Sequence, residues 1–173
     1  MQYFEDKAKH AYELSQQRKF FTKSRAVVIK NGKLLLIRVD YNDGRKPHYL
    51  LPGGGIDEGE TAKQAAVRET LEEYNVVVTA KTYLGKQYYK MPMEYKAEKF
   101  VSNRVDYYYL CEYIKEGDNK KFGVEEEFGR SDRTYTKIEL SLAELKKINH
   151  EDLNNMSLQV YNRLIELMAS YKK

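Results

Sequence analysis

The chain has a single cysteine, Cys111, in 173 residues. That excludes an internal disulfide, and a lone thiol in an apolar, aromatic stretch suits packing in a reducing cytosol. The sequence also lacks any apolar run approaching the length of about 18 residues that a membrane-spanning helix requires. The first 25 residues carry charge throughout, so no secretory signal peptide is predicted and a cytoplasmic protein is expected. Repeats, low-complexity tracts and inter-domain linkers are missing as well. Strong charge of one sign is absent too. The net charge of +4 mildly favours polyanionic substrates and is too small to argue for nucleic-acid binding by itself. The length fits one domain with a real core.

What is present is concentrated in residues 54–76, GGIDEGETAKQAAVRETLEEYNV. Thr61 and Gln64 form a capping box, which predicts a helix starting at Thr61. Asn75 tolerates the left-handed conformation that ends helices, so the helix should stop there. Spacings of three and four put Val67, Thr70, Leu71 and Tyr74 on one face. Ala62, Ala65, Ala66, Glu69, Glu72 and Glu73 lie broadly opposite. Carboxylates that close repel one another by a few tenths of a kcal/mol per pair. A solvated acidic face would tolerate this. It would not explain the glycine-rich approach Leu51-Pro52-Gly53-Gly54-Gly55 or the Glu60-to-Arg68 spacing. Hard divalent cations such as Mg²⁺ take carboxylate and phosphate oxygens, and a metal site explains all three features.

Gly54, five residues, Glu60, seven residues, Arg68-Glu69, two residues, Glu72-Glu73: this spacing resembles the Nudix box, in which a glycine, a glutamate, an Arg-Glu pair and a Glu-Glu pair recur at those intervals. Thr70 replaces the usual aliphatic residue, and Asn75 replaces the usual last glycine. Neither is a ligand position. The resemblance implies that Glu69, Glu72 and Glu73 hold Mg²⁺ or Mn²⁺, with the Gly53 carbonyl as a further ligand. It makes Glu69 a candidate base and pairs Arg68, in the catalytic group, with Glu60, which fixes the loop to the helix. Gly54 and Gly55 let backbone approach the substrate without a Cβ in the way.

The rest of the chain fits around that stretch. Residues 4–17 read as a short amphipathic helix with Ala8, Ala11, Tyr12 and Ser15 at helical spacing. It belongs to an N-terminal extension, 1–20, ahead of a Nudix domain at 21–173. It would pack on the sheet or on a second subunit of a homodimer. Ala26 to Ile29 and Leu34 to Val39 flank Asn31-Gly32, a two-residue hairpin signal. Residues 40–47 read as a loop, and 49–51 as a short strand whose Tyr49 is a candidate substrate contact. His48 receives no catalytic role. Residues 76–84 read as a strand broken by Gly85, 87–91 as another, and 92–103 as irregular.

In the family, the region beyond the box influences substrate choice. A proline there goes with ADP-ribose and a tyrosine with dinucleoside polyphosphates, so Pro92 and Tyr95 give conflicting hints. Tyr95 is retained as a substrate-binding candidate. The basic residues Lys81, Lys86, Lys90, Lys96, Lys99 and Arg104 in 81–104 face only Glu94 and Glu98, which suits a phosphate substrate. Residues 104–114 alternate Val105, Tyr107, Tyr109, Cys111 and Tyr113 against Asp106, Tyr108, Leu110, Glu112 and Ile114. Residues 115–133 read as a long loop holding Glu125, Glu126 and Glu127, one of which would be an additional base or ligand. Residues 134–140 read as the last strand. Ser141 and Glu144 cap a short helix through about 148, and 157–171 form the last helix, with Val160, Tyr161, Leu164, Ile165 and Met168 as its apolar stripe.

Together these elements predict an α/β (α+β) Nudix fold, a mixed β-sheet sandwiched between helices. The resemblance implies metal-dependent hydrolysis of a pyrophosphate bond in a nucleoside diphosphate linked to another moiety: a nucleoside triphosphate, ADP-ribose or a dinucleoside polyphosphate. Alternatives are a non-catalytic nucleotide sensor and a pyrophosphohydrolase of RNA 5′ ends. A prenyl diphosphate isomerase on this fold would need a catalytic cysteine and histidine ligands, which one cysteine and three scattered histidines do not favour.

Overall fold

The computed structural model describes residues 2–118, 132–153 and 156–171. Glu125, Glu126 and Glu127, expected to supply an extra base or ligand, lie outside the described residues. Among those described, the strands are β1 (Phe21–Lys30), β2 (Lys33–Tyr41), β3 (His48–Leu50), β4 (Val76–Tyr95), β5 (Glu98–Glu116) and β6 (Arg133–Ser141). The helices are α1 (Gln2–Gln16), α2 (Ala62–Tyr74), α3 (Leu142–Leu145) and α4 (Leu158–Ser170), with a 3₁₀ turn at His150–Asp152.

The strands form one mixed sheet in the order β3-β2-β1-β5-β4, with β6 also paired to β2. Asn31 and Gly32 both take positive φ, 51° and 74°, as a hairpin turn whose twist matches its strands requires. The two strands then part. Their registered pairs are Ile29 with Leu34 and Lys30 with Lys33, while β2 runs on against β6 and β3. Residues 52–56 take the edge of β1 that β2 has left. Ser24 N–H donates to Gly54 O (2.9 Å), Ala26 N–H to Pro52 O (2.8 Å) and Ile56 N–H to Thr22 O (3.3 Å). The other edge of β1 pairs in parallel with β5. The glycine loop is therefore held as an extra short strand in the middle of the fold.

Alternation along β1 separates two cores. Ala26 and Val28 join Leu35, Ile37, Val39, Val78 and Cys111 beneath α2. Val27 and Ile29 join Leu36, Tyr108, Leu145, Leu164 and Met168 beneath α3 and α4. Helices thus cover both faces of the sheet. The stripe Val160, Tyr161, Leu164, Ile165 and Met168 packs in the second core as expected. Cys111 is buried, and burial pushes its thiol up to about 12.

Three expectations are corrected. Gly85 does not end a strand. It sits at a register shift inside the 20-residue β4, with φ 141°. Residues 92–103 are not irregular. They form the end of a β4–β5 hairpin in which Pro92 opposes Val101 and Tyr95 opposes Glu98. Pro92 is tolerated because β4 is an edge strand. The turn residues Lys96 and Ala97 take φ 48° and 63°, a conformation for which neither residue type is a signal. The inner face of α2 differs too. Ala65, Ala66, Glu69, Thr70, Glu73 and Tyr74 are buried, while Leu71 is 39% exposed. The helix approaches β1 and the loop through its alanines and carboxylates because backbone must come close there. α1 lies against β4 and β5 in this chain: Ala11 is buried, and the Tyr12 ring meets those of Tyr95 (5.5 Å) and Phe100 (5.4 Å).

Candidate active site

Local chemistry sets α2 in place. Thr61 Oγ1 accepts from Gln64 N–H (3.2 Å), and Gln64 Oε1 accepts from Thr61 N–H (2.9 Å), which closes the capping box. Asn75 ends the helix at φ 53°, ψ 43°. Its Nδ2 donates to Gly117 O at 3.0 Å, and Gly117 N–H donates to Asn75 O at 2.7 Å. An Asn at this position therefore does what a glycine cannot, tying the helix to the end of β5. Ser24 Oγ donates to Ala62 O (2.6 Å) and ties β1 to the start of α2.

The loop and helix meet through charge. Arg68 grips Glu60 with two bonds, Nε to Oε1 at 3.0 Å and Nη2 to Oε2 at 2.9 Å. The same guanidinium donates to Gly55 O, Glu69 Oε1 and Glu72 Oε2, each at 2.9 Å. The hydrogen bond from Arg68 holds the Glu60 carboxyl below its ordinary range, and Glu60, then Glu69, raise Arg68. Glu73 is 3% exposed and accepts from Gly53 N–H at 2.7 Å. Glu69 is 6% exposed, and its carboxylate fills the space a Gly54 Cβ would take, at 2.4–2.6 Å. A Gly53 Cβ would lie 2.1 Å from Ser24 O. Gly53 is required by close approach to backbone, whereas a Cβ at Gly54 would displace the Glu69 carboxylate.

The structure thus brings Gly53, Gly54, Gly55, Glu60, Arg68, Glu69, Glu72 and Glu73 together. Among the described residues no three His, Cys, Asp or Glu side chains already stand as an ion cage. Glu69 and Glu72 are drawn onto Arg68, and Glu73 onto Gly53 N–H. The structure does not bring the two tyrosines to this cluster. Leu50 packs in the core under α2, whereas Tyr49 packs in the opposite core. Tyr95 is at the hairpin tip beside α1, six residues beyond Tyr89, about 20 Å of extended strand.

Residues outside the sequence expectation complete the surroundings. Arg25 is buried and donates to Gly53 O from Nη1 and to Asp106 Oδ2 from Nε (3.1 Å). Burial works against the Arg25 charge, but Asp106 outweighs it and holds the guanidinium above its ordinary value. Burial likewise works against the Asp106 charge, and Arg25 and Arg104 outweigh it and keep the carboxyl low. A charged residue inside an otherwise apolar strand, Arg25 before AVVI and Asp106 inside VDYYYLC, was the available signal, because buried charges come in pairs.

The NUDIX domain family matches residues 21–155. A Bacillus subtilis (strain 168) protein named as an 8-oxo-dGTP diphosphatase is 41% identical over 63 residues, 35% of this chain and 41% of that protein. A Methanocaldococcus jannaschii protein named an ADP-ribose pyrophosphatase is 39% identical over 59 residues, 34% of each. The chain therefore spans well under half the length of these two relatives. Among solved structures, a NUDIX hydrolase from Nitrosomonas europaea superposes with TM-score 0.56 at 16% identity, covering 86% of this chain and 87% of the other. The E. coli ORF135 protein gives 0.56 at 16% identity, covering 88% and 93%. These likenesses place the fold, and with a family match that takes in the whole loop–helix cluster, this chain belongs to the NUDIX domain family.

Proposed function

We propose that the protein is a metal-dependent pyrophosphohydrolase acting on a nucleoside diphosphate linked to another moiety. One observation carries this reading. Three carboxylates within little more than one turn of α2, two of them buried, are backed by a glycine loop in which a Cβ at Gly53 would strike β1 and one at Gly54 would strike Glu69. The donor set is all oxygen, which fits a hard divalent cation, Mg²⁺ or Mn²⁺. Glu69, Glu72 and Glu73 would hold it. One lone pair of the Gly53 carbonyl is already taken by Arg25, and the other is open to a ligand by the ordinary capacity of a carbonyl. A bound divalent ion neutralises charge on phosphate oxygens and lowers the pKa of water.

The chain's own residues do the rest. Arg68 eases the repulsion between Glu69 and Glu72 and orients them while gripping Glu60. Arg25 pins the Gly53 carbonyl. Glu69 accepts the proton of the attacking water, with Glu125, Glu126 or Glu127 as the other candidates. The two named relatives act, by their names, on a nucleoside triphosphate and on ADP-ribose, so both classes are substrates to test here.

The test is a chromatographic screen for the hydrolysis products, a nucleoside monophosphate with pyrophosphate or a second phosphorylated fragment, with Mg²⁺ or Mn²⁺ over nucleoside triphosphates, ADP-ribose, dinucleoside polyphosphates and triphosphorylated RNA. Glu73→Gln keeps an acceptor for Gly53 N–H and removes the charge, so it should fold and lose about 100-fold or more in rate. Turnover unchanged in Glu73→Gln would refute the metal assignment. Binding without turnover of any substrate would move the protein to a nucleotide sensor.

A further inference from the structure

On the sheet face away from α2, β1 and β5 bring three cations around one carboxylate. Lys23 and Arg25 alternate with Ser24, whose hydroxyl reaches α2, so they share the opposite face. Lys23 is in register with Asp106. Asp106 is fully buried and receives Arg25 Nε at 3.1 Å and Arg104 Nη2 at 2.7 Å. Both guanidiniums are thereby spent on one carboxylate. Among the described residues Lys23 has no ion pair; its Nζ lies 5.7 Å from the Phe21 ring. Burial, then Arg25 and Arg104, lower its ammonium to about 7. The Tyr89 and Tyr108 hydroxyls, 2.9 Å apart, lie on the same floor. Lys23 also bridges to Gly55 at the rim of the loop, so this cluster and the acidic one share the glycine loop as a common wall. α1 borders it, with His10 edge-on to Phe21 at 5.8 Å and Lys7 adding positive potential at Lys23.

Lys23 is half-buried, and a cation partly removed from water without an ion pair is unfavourable. Three basic side chains against one carboxylate leave an excess of positive potential at Lys23, and a phosphoryl group there would hold its ammonium protonated. Arg and Lys together are the usual phosphate set. We propose that Lys23, backed by Arg25 and Arg104, binds a phosphoryl group of the substrate on the far side of the glycine loop from Glu69, Glu72 and Glu73. The proposal rests on the nucleotide reading above, and it makes Lys23 a substrate-binding residue.

Calorimetric titration of the purified protein with a nucleoside monophosphate, the matching nucleoside and inorganic phosphate tests it. The monophosphate should bind at least about tenfold tighter than the nucleoside, an ordinary gain for a charge-assisted contact. Lys23→Met should erase that gain and Lys23→Arg should restore part of it. Lys23→Met should melt close to wild type, since the cost of burying the ammonium beside Arg25 and Arg104 offsets its attraction to Asp106. In turnover, Lys23→Met should raise KM about tenfold with kcat little changed, the opposite of Glu73→Gln. Monophosphate affinity within twofold of wild type in Lys23→Met would overturn the proposal. So would inorganic phosphate binding through Lys23 without competing with substrate, which would make the ligand a free ion. If Lys23 governs monophosphate binding while Glu73→Gln leaves turnover untouched, the anion site stands and the metal assignment falls; if Lys23 governs binding and no substrate is turned over, the anion site stands and the hydrolase assignment falls.

Discussion

Gly53→Ala is the sharpest test of how the loop is built. The new Cβ would lie 2.1 Å from Ser24 O and 2.9 Å from Arg25 Cα. Ordinary C···O contacts are near 3.3 Å, so loop and β1 must part by more than about 1 Å. Both neighbours are backbone in the central strand, fixed by β5 on its other edge, and have no rotamer to change. The native φ of 145° adds about 1–3 kcal/mol for a residue with a Cβ. Moving the loop weakens Gly53 N–H to Glu73 (2.7 Å) and Ser24 N–H to Gly54 O (2.9 Å), at about 1 kcal/mol each. The total is about 3–5 kcal/mol, a third or more of the stability of many domains. In a chain of this length it corresponds to a fall in Tm of about 8–15 °C. Gly54→Ala differs in kind, because the nearest atoms its Cβ meets are those of the Glu69 carboxylate, at 2.4–2.6 Å. Glu69 can swing aside, so stability should fall by only about 1 kcal/mol while turnover falls far more. Thermal melts by circular dichroism, run without metal, compare the two. Gly53→Ala melting within 2 °C of wild type, or Gly54→Ala proving the less stable, would refute this reading.

Two further outcomes follow from the ends of α2. Asn75→Ala should cost about 2 kcal/mol, from a left-handed φ of 53° and a lost bond to Gly117 O. Asn75→Gly should stay within about 1 kcal/mol of wild type; the reverse order in urea unfolding would show that the cap is not what sets the cost. Glu60 has a folded pKa below its unfolded value because Arg68 donates to it. Its contribution is therefore present above about pH 4.5 and is lost as pH falls through the lower folded value. Glu60→Gln should melt below wild type at pH 6, by about 1 kcal/mol or less, and the gap should narrow as pH falls below 4.5. A gap that stays constant over that range would mean the Arg68 pair does not contribute.

Much of the site is local and was legible in the sequence. The capping box at Thr61 and Gln64, the stop at Asn75, the turn at Asn31-Gly32 and the second capping box at Ser141 and Glu144 are all present. Each depends on side chains bonding backbone only a few residues away, so the order of residues suffices. The Glu60–Arg68 grip was legible through family spacing, since loop length and helix pitch together fix which residues can meet. The buried side of α2 was legible only in part. Hydrophobic periodicity placed Val67, Thr70 and Tyr74 inward, as they are, but also Leu71, which is exposed, and it did not show that Ala65, Ala66, Glu69 and Glu73 pack as well. The partner that side meets is a glycine loop that needs small residues and carboxylates.

The turn at Lys96-Ala97 was missed for a related reason. Its positive φ values are imposed by β4 and β5 pairing along their length, and neither residue type announces them. Tyr49 and Tyr95 were candidates by position along the chain, but pleat alternation sends one to the far core and strand length carries the other to the hairpin tip. The Arg25–Asp106–Arg104 cluster depends on β1 lying parallel to β5, two segments some 80 residues apart. Sequence by itself determined the helix, its caps and the acidic chemistry, because those interactions close within a few turns. Only the tertiary structure decided what the glycine loop touches and where the buried cations gather, because partners that distant are set by strand pairing.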